Sequence, residues 1–395
     1  MTQPAKFRSI NLLIFSAVYF DFAAYFAIGL SLAILPGYVH LQLGLSTVLA
    51  GLMVGLQYIA TFATRHRAGR MSDTIGPRQT VRYGMTFCAA SGGLMVLSWL
   101  LRDFLWLGLG TLACSRLLLG TGESMAATGA TMWGIGMVGQ EHTAKVISLN
   151  GVATYVALAI GAPIGVLLES LWGFGAVGAL LVLVAAGSFA AATRMAPTFP
   201  PKGEPVPLGQ LLRGVSPFGM ALALGGMGFG VIATFITLYF AQRHWQGAAL
   251  SLTCFGLCFV GARLAFAHCI DRYGGFPVAI LSFCVEAAGL VVLALGHSQA
   301  LAYVGSGLTG LGFSMIFPSM GVEATNCFPV SVRGSVLGVY SAFVDGSLFL
   351  TGPLAGAVIV HYGYSITFLA TAGAILVALA GTIWLASSSR MTVTD

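Results

Sequence analysis

Four ionisable residues stand deep inside long apolar runs: Asp21, Arg116, Glu123 and Asp345. A charge at such a depth costs several kcal/mol unless it is paired, hydrated or neutralised by a proton. Asp21 lies some eleven residues into its run, about 16 Å at 1.5 Å per residue, and Arg116 about 18 Å in from the other side. Arg116 and Glu123 are seven apart, hence on one helix face. An arginine stays charged wherever it sits, so Arg116 needs a carboxylate, water or an anionic cargo. An acid facing it could take and release a proton, and Asp21 with Arg116 is the pair expected to do so. For both residues a structural reading stays open beside the functional one: a packing acid hydrogen-bonded to its neighbours, and a structural ion pair. Glu123 is expected nearer the cytoplasmic mouth, in a gating, packing or proton-transfer role. Asp345 is a second candidate for charge coupling. Glu286 is also near mid-depth, and either pairs with Arg263 or carries a proton.

Candidate cargo contacts lie along the same runs: Tyr25, Gln57, Asn150, Tyr155, Phe235, Tyr239, Phe313 and Phe317. Tyr25 is one turn beyond Asp21 and is placed to orient it. Most aromatics on these runs are expected to be packing.

The elements that position these residues are membrane spans. The chain has 395 residues, 57% of them hydrophobic and only 8% charged, where soluble proteins carry roughly 25% charged residues. The apolar runs are long and continuous, which suits helices and not the short alternating strands of a barrel. The 53 glycines suit close helix packing in lipid. Twelve spans are expected, near 10–35, 48–64, 82–101, 105–135, 146–168, 174–193, 216–241, 249–267, 277–296, 300–326, 335–360 and 365–386. With the N-terminus inside, fourteen of the lysines and arginines fall on the cytoplasmic side, Arg65 among them, against Arg102 and Arg243 outside. That asymmetry places both termini in the cytoplasm. The basic excess is a topology signal, not a nucleic-acid signal. No cleavable signal peptide is apparent.

Residues 194–213 are Pro-rich and polar and form the expected linker between two six-helix bundles, 1–193 and 214–395. The second half repeats the first. Arg263 and Asp271-Arg272-Tyr273-Gly274 echo Arg65 and Asp73 to Gly76 at an offset of 198 residues. Gly310-Leu-Gly312 echoes Gly120-Thr-Gly122 at 190, as Gly363 echoes Gly173. Parallel repeats imply a site between two bundles at the midplane. The repeat is chemically unequal, since Ser306 stands where Arg116 does.

Between the second and third spans lies Gly69-x-x-x-Asp73-x-x-Gly76-x-Arg78, expected to be a tight aqueous turn in which Gly69 permits close backbone approach. This spacing resembles the signature loop of the major facilitator superfamily, with Met71 and Thr74 departing from it. Arg116-x-x-x-Gly120-x-Gly122 resembles a second motif, of the drug/proton antiporter branches. Gly161-Ala162-Pro163-Ile164-Gly165 resembles the antiporter motif of the fifth helix, and the run as a whole looks like the bacterial branch typified by YhhS and YfcJ. The resemblance implies an all-α fold of twelve helices in two pseudo-symmetric bundles, and a signature loop that docks on the start of the eleventh helix. It implies conformational gating by Gly69, Asp73, Gly76, Arg78, Gly161, Pro163, Asp271 and Gly274.

The chain is thus expected to be a monomeric, proton-coupled exporter of a small organic molecule in a bacterial inner membrane. The proton gradient is its driving force, with no cofactor and no metal. A proton-linked importer or facilitator of a small polar solute, and a non-transporting membrane sensor, are the alternatives. No phosphate-binding loop, metal cluster or catalytic triad supports an enzyme.

Overall fold

The computed structural model describes residues 10–139, 142–198, 207–328 and 333–391. These residues are helical almost throughout. The helices are α1 Ile10–Leu32, α2 Thr47–Thr74, α3 Pro77–Leu100, α4 Leu105–Val138, α5 Thr143–Trp172, α6 Phe174–Arg194, α7 Leu208–Gln242, α8 Ala249–Tyr273, α9 Gly275–Leu295 and α10 Gln299–Asn326. The last helical stretch, Arg333–Met391, breaks at Gly363, where φ is 79° and ψ 176°. That break divides it into α11 (333–362) and α12 (364–391), so the described residues form twelve long apolar helices. Leu183, Leu281, Val377 and Trp384 are among the large apolar side chains left on the outer surface, as a lipid-facing exterior requires.

Helix ends follow from local chemistry. Ser46 and Ser298 each accept a hydrogen bond from a backbone N–H three residues on, at Leu49 and Leu301, and so cap α2 and α10. Gly76 (φ 92°) and Gly274 (φ 84°) turn the chain between α2 and α3 and between α8 and α9. Their positive φ is a conformation only glycine adopts freely.

Two sequence expectations need correction here. The signature stretch is not a ten-residue turn: α2 continues through Gly69 and Asp73 to Thr74, and only Ile75 and Gly76 separate it from Pro77. A Cβ on Gly69 would meet nothing within 4 Å, so close backbone approach is not made there. The expected linker is also shorter than 194–213, because α7 already begins at Leu208; residues 199–206 lie outside the described residues.

Glycines set how closely the helices pack. On α3, added carbons at Gly84 and Gly92 would meet the Gly122 and Gly178 carbonyls, both at 2.7 Å. On α9, one at Gly289 would meet the Gly305 carbonyl at 2.7 Å. Contact between the halves runs along two seams. α2 meets α11 where Gly51 lies on Gly352 and Thr47 Oγ1 donates to the Gly356 carbonyl (3.2 Å). α5 meets α8 where Thr253 Oγ1 donates to the Ala159 carbonyl (2.9 Å) and a Cβ on Gly256 would stand 3.0 Å from the Tyr155 carbonyl. Gly161 and Gly165, in the stretch that resembles the antiporter motif, pack on Gly29 and Leu30 of α1. Pro163 lies inside α5 beside them.

Candidate functional site

Gln57, Thr61 and Arg65 follow one another at intervals of four on α2, a spacing that lines up one helix face. α4 crosses this face at Gly120, so close to the Gln57 carbonyl that a Cβ there would overlap it. The crossing sets Glu123 against Thr61, whose Oγ1 stands 2.6 Å from Glu123 Oε2. The same hydroxyl also lies 3.1 Å from the Gln57 and the Gly120 carbonyls. It has one proton to give, and the carboxylate is the nearest acceptor.

One turn further on, Arg65 reaches across the α2–α11 seam. Its Nη2 donates to Asp345 Oδ1 (2.9 Å) and its Nε to Oδ2, a bidentate pair. Glu123 Oε1 lies 3.9 Å from the same guanidinium and has no hydrogen-bond partner. Two carboxylates, with side chains 2% and 8% exposed, thus share one arginine. They border a cavity of about 60 Å³, closed to all but a few water molecules, with Tyr25, Tyr58, Thr154 and Tyr155 among its walls.

The expected pair of Asp21 and Arg116 is not formed. Arg116 donates to Ser31 Oγ (2.8 Å) and to the Gln57 side-chain oxygen. Asp21 Oδ2 accepts from Thr154 Oγ1 (3.0 Å). Ser31 is ten residues beyond Asp21 on α1, about 15 Å along the helix, so acid and base occupy different levels. Tyr25 faces the central cavity with Glu123 and does not orient Asp21. Glu123 lines that cavity. Asp345, the second candidate, becomes a first one. Gln57 is a partner of Arg116, buried and off the cavity wall.

Sequence reasoning misses Arg65, which stands next to His66-Arg67 and reads as one more loop cation. The signals that could have found it are its spacing of four from Thr61 and its echo at Arg263.

On the other side of the cavity the chemistry is aromatic. Tyr155 stacks on Phe259 with ring centroids 3.5 Å apart, and Phe229, Phe255 and Phe313 close around them. Tyr155 lines the cavity, and Phe313 packs on it within this cluster. Phe235 and Tyr239 do neither. Phe235 is fully buried in the core. Tyr239 packs on Trp245, Tyr364 and Phe368 near the end of α7 and donates to the Leu293 carbonyl (3.2 Å). Phe317 packs against Tyr340. Asn150 Nδ2 donates to Thr131 Oγ1 (2.6 Å), tying α5 to α4.

Of the expected gating residues, Arg78 donates to the Ala192 carbonyl (3.2 Å) and to that of Thr193, which pins the start of α3 to the end of α6. Asp73 lies on the last turn of α2. The Asp271 side chain lies outside the described residues.

The family model of the Major Facilitator Superfamily matches residues 21–277 and 218–392. An uncharacterized MFS-type transporter of Burkholderia pseudomallei (strain K96243) is 49% identical over 370 residues, covering 94% of this chain and 91% of its own length. One of Pseudomonas aeruginosa (strain UCBPP-PA14) is 49% identical over 388 residues, covering 98% and 96%. Among solved structures, the nucleoside transporter NupG superposes with a TM-score of 0.74 at 16% identity, over 94% of this chain and 99% of its own. A D-xylose-proton symporter does so with 0.74 at 15%, over 93% and 97%. These two share the fold. With the family match spanning nearly the whole chain and relatives at 49% identity over most of its length, the protein belongs to the Major Facilitator Superfamily of membrane transporters.

Proposed function

We propose that the protein is a secondary active transporter that exports a small organic molecule in exchange for protons, by alternating access of one central site. The observation that carries this reading is the sharing of Arg65 between Asp345 and Glu123. One guanidinium neutralises one carboxylate fully, so the second has a place for a proton or for a cationic group of the cargo. Only one of the two carboxylates belongs to the opposite half. While Arg65 holds Asp345, α2 is tied to α11. When Asp345 takes a proton, the bidentate pair loses its charge and Arg65 turns to Glu123, inside its own half. The proton thus decides whether the tie across the seam exists, which is the differential interaction a conformational switch requires. Export, as opposed to import, is supported by the likeness of residues 161–165 to the exporter motif. The count of basic residues supports cytoplasmic termini in a bacterial inner membrane.

The test is transport in proteoliposomes with an imposed pH difference, monitored by a trapped pH indicator while small organic cations, anions and zwitterions are offered. Export predicts that a cargo accumulates against its own gradient as the pH difference collapses, and that Asp345→Asn uncouples the two. Accumulation only when the gradient is inverted identifies an importer. Cargo movement indifferent to the gradient ends the proton-coupled reading, and no exchange of any ligand points to a sensor.

A further inference from the structure

Arg263 is the counterpart of Arg65 and has none of its partners. It is 8% exposed. Among the described residues no carboxylate lies within 4 Å of it, whereas Arg65 has two. Its Nη2 donates to the Ser314 carbonyl (2.9 Å), its Nε has no partner, and its guanidinium carbon stands 5.1 Å from the centroid of the Phe259 ring. A permanently charged group held this deep needs an anion or water, since one carbonyl and one ring face leave most of its five donors unused. Its Nη1 points across the α5–α8 seam: it lies 3.2 Å from where a Cβ of Gly151 would be. Gly151 carries no side chain to fill that space.

We propose that Arg263 is the receptor for an anionic group of the cargo, and that the cargo is a zwitterion with a flat apolar body. This rests on the transport reading above and names the class of molecule carried. The two seams of the central chamber differ in sign. The α2–α11 seam has two carboxylates to one arginine, hence an excess of negative charge. The α5–α8 seam has an arginine with no carboxylate, hence an excess of positive charge. Between them stand Tyr155 and Phe259, stacked at 3.5 Å, with Tyr155 also on the cavity wall that carries Glu123 and Asp345. The cavity of about 60 Å³ is too small for such a body as it stands; once the halves part along the seams, the ring faces accept a planar body, its anionic end on Arg263 and its cationic end on the acid pair. The cationic end then takes the place a proton takes, so cargo and proton compete, as exchange demands.

Three probes with one indole body separate the charges: tryptophan (zwitterion), tryptamine (cation) and indole-3-propionate (anion). Thermal unfolding of purified protein in detergent, at millimolar probe, measures binding without any gradient. A failed proton coupling in vesicles therefore leaves this result standing, and the reverse also holds. Tryptophan is expected to stabilise most. Arg263→Gln is expected to weaken the affinity for tryptophan and indole-3-propionate, read from the dependence of the unfolding temperature on probe concentration, about 10- to 100-fold, the range for hydrogen bonds to a charged group, and to spare tryptamine. Glu123→Gln is expected to spare indole-3-propionate and weaken tryptamine. Arg263→Lys, which keeps the charge, is expected to restore part of the tryptophan response, and a retained tryptamine response shows that a variant is folded. Equal stabilisation by tryptophan and tryptamine overturns the proposal. So does an Arg263→Gln variant with an unchanged tryptophan response, or the absence of any response to all three probes.

Discussion

The two halves of the molecule use one crossing geometry for two chemistries. α4 crosses α2 at Gly120 over the Gln57 carbonyl, and α10 crosses α8 at Gly310 over the Phe255 carbonyl. Gly122 then meets Cys88 on α3, and Gly312 meets Glu286 on α9. Around these matched contacts the side chains change character. Gln57, Thr61 and Glu123 in the first half stand where Phe255, Phe259 and Phe313 stand in the second. The arginine alone is kept, as Arg65 and Arg263. The scaffold therefore fixes where an arginine sits relative to the centre, and its neighbours decide whether it is an internal counter-ion or an unpaired charge. A carboxylate at the α4 position and a phenylalanine at the matching α10 position leave a polar wall facing an aromatic one.

The sharpest break of this comparison is Arg65→Gln. It leaves two buried carboxylates without a cation, and removing one partner of a buried pair typically costs about 3–5 kcal/mol. The loss should appear as a large fall in the unfolding temperature of the purified protein, together with loss of gradient-driven transport. Arg263→Gln removes no carboxylate partner and is expected to cost about 1–2 kcal/mol, the scale of its hydrogen bond. Equal falls in the two variants would mean that the arginines are held alike.

A second comparison tests the shared geometry. Gly120→Ala and Gly310→Ala each force a methyl group onto a backbone carbonyl that cannot swing aside. Overpacking of this kind costs about 1–3 kcal/mol, and the two should be matched in size. If Gly310→Ala is silent while Gly120→Ala is severe, the crossings are not equivalent in solution.

A third sorts the acids. Asp21→Asn keeps an oxygen that accepts from Thr154 Oγ1, so stability should change by less than about 1 kcal/mol, and coupling to the proton gradient should persist. Glu123→Gln keeps the Thr61 hydrogen bond as well but removes a charge from the Arg65 cluster, and should abolish gradient-driven accumulation in the same vesicles. Persistence of coupling in Glu123→Gln with its loss in Asp21→Asn would return the proton to α1.

Much of the fold is legible in the sequence because membrane physics writes it in one dimension. A span is a run of apolar residues, and a turn is a glycine whose φ no other residue takes freely, as at Gly76, Gly274, Gly173 and Gly363. The site is harder. Depth along a helix can be counted, and that count puts Asp21 and Arg116 level, yet Arg116 meets α1 at Ser31, about 15 Å beyond Asp21; neither the level at which two helices meet nor the direction a side chain faces is written in the count. Arg116 is turned by Ser31 and Gln57, and Asp21 by Thr154. Arg65 shows the converse difficulty. The spacing from Thr61 and the echo at Arg263 point to this cation, but its partner Asp345 comes from α11, 280 residues away, and no local pattern carries that. The loop motif misleads for a similar reason: Gly69 to Thr74 reads as punctuation by composition, yet it propagates α2 because the preceding turns are already formed.

The smallest effect is expected at Glu286, where the halves differ most quietly. It occupies the place of Cys88 and is fully buried, and both its oxygens lack partners. It does not pair with Arg263, which is turned to Ser314. Glycines of α7 make room for its carboxyl: a Cβ on Gly228 would overlap Oε1, and one on Gly225 would lie 3.6 Å from Oε2. A buried polar group with no partner contributes nothing that an apolar group of the same shape would not, and replacing such groups by well-packed apolar ones is often neutral or stabilising. Glu286→Leu should therefore unfold within about 1 kcal/mol of the parent, or above it, and leave coupling intact, because the cluster proposed to move the proton lies in the other half and on the α2–α11 seam. A marked loss of coupling in this variant would make the second half a proton carrier in its own right, and the division between an ionic wall and an aromatic one would no longer describe how the protein works.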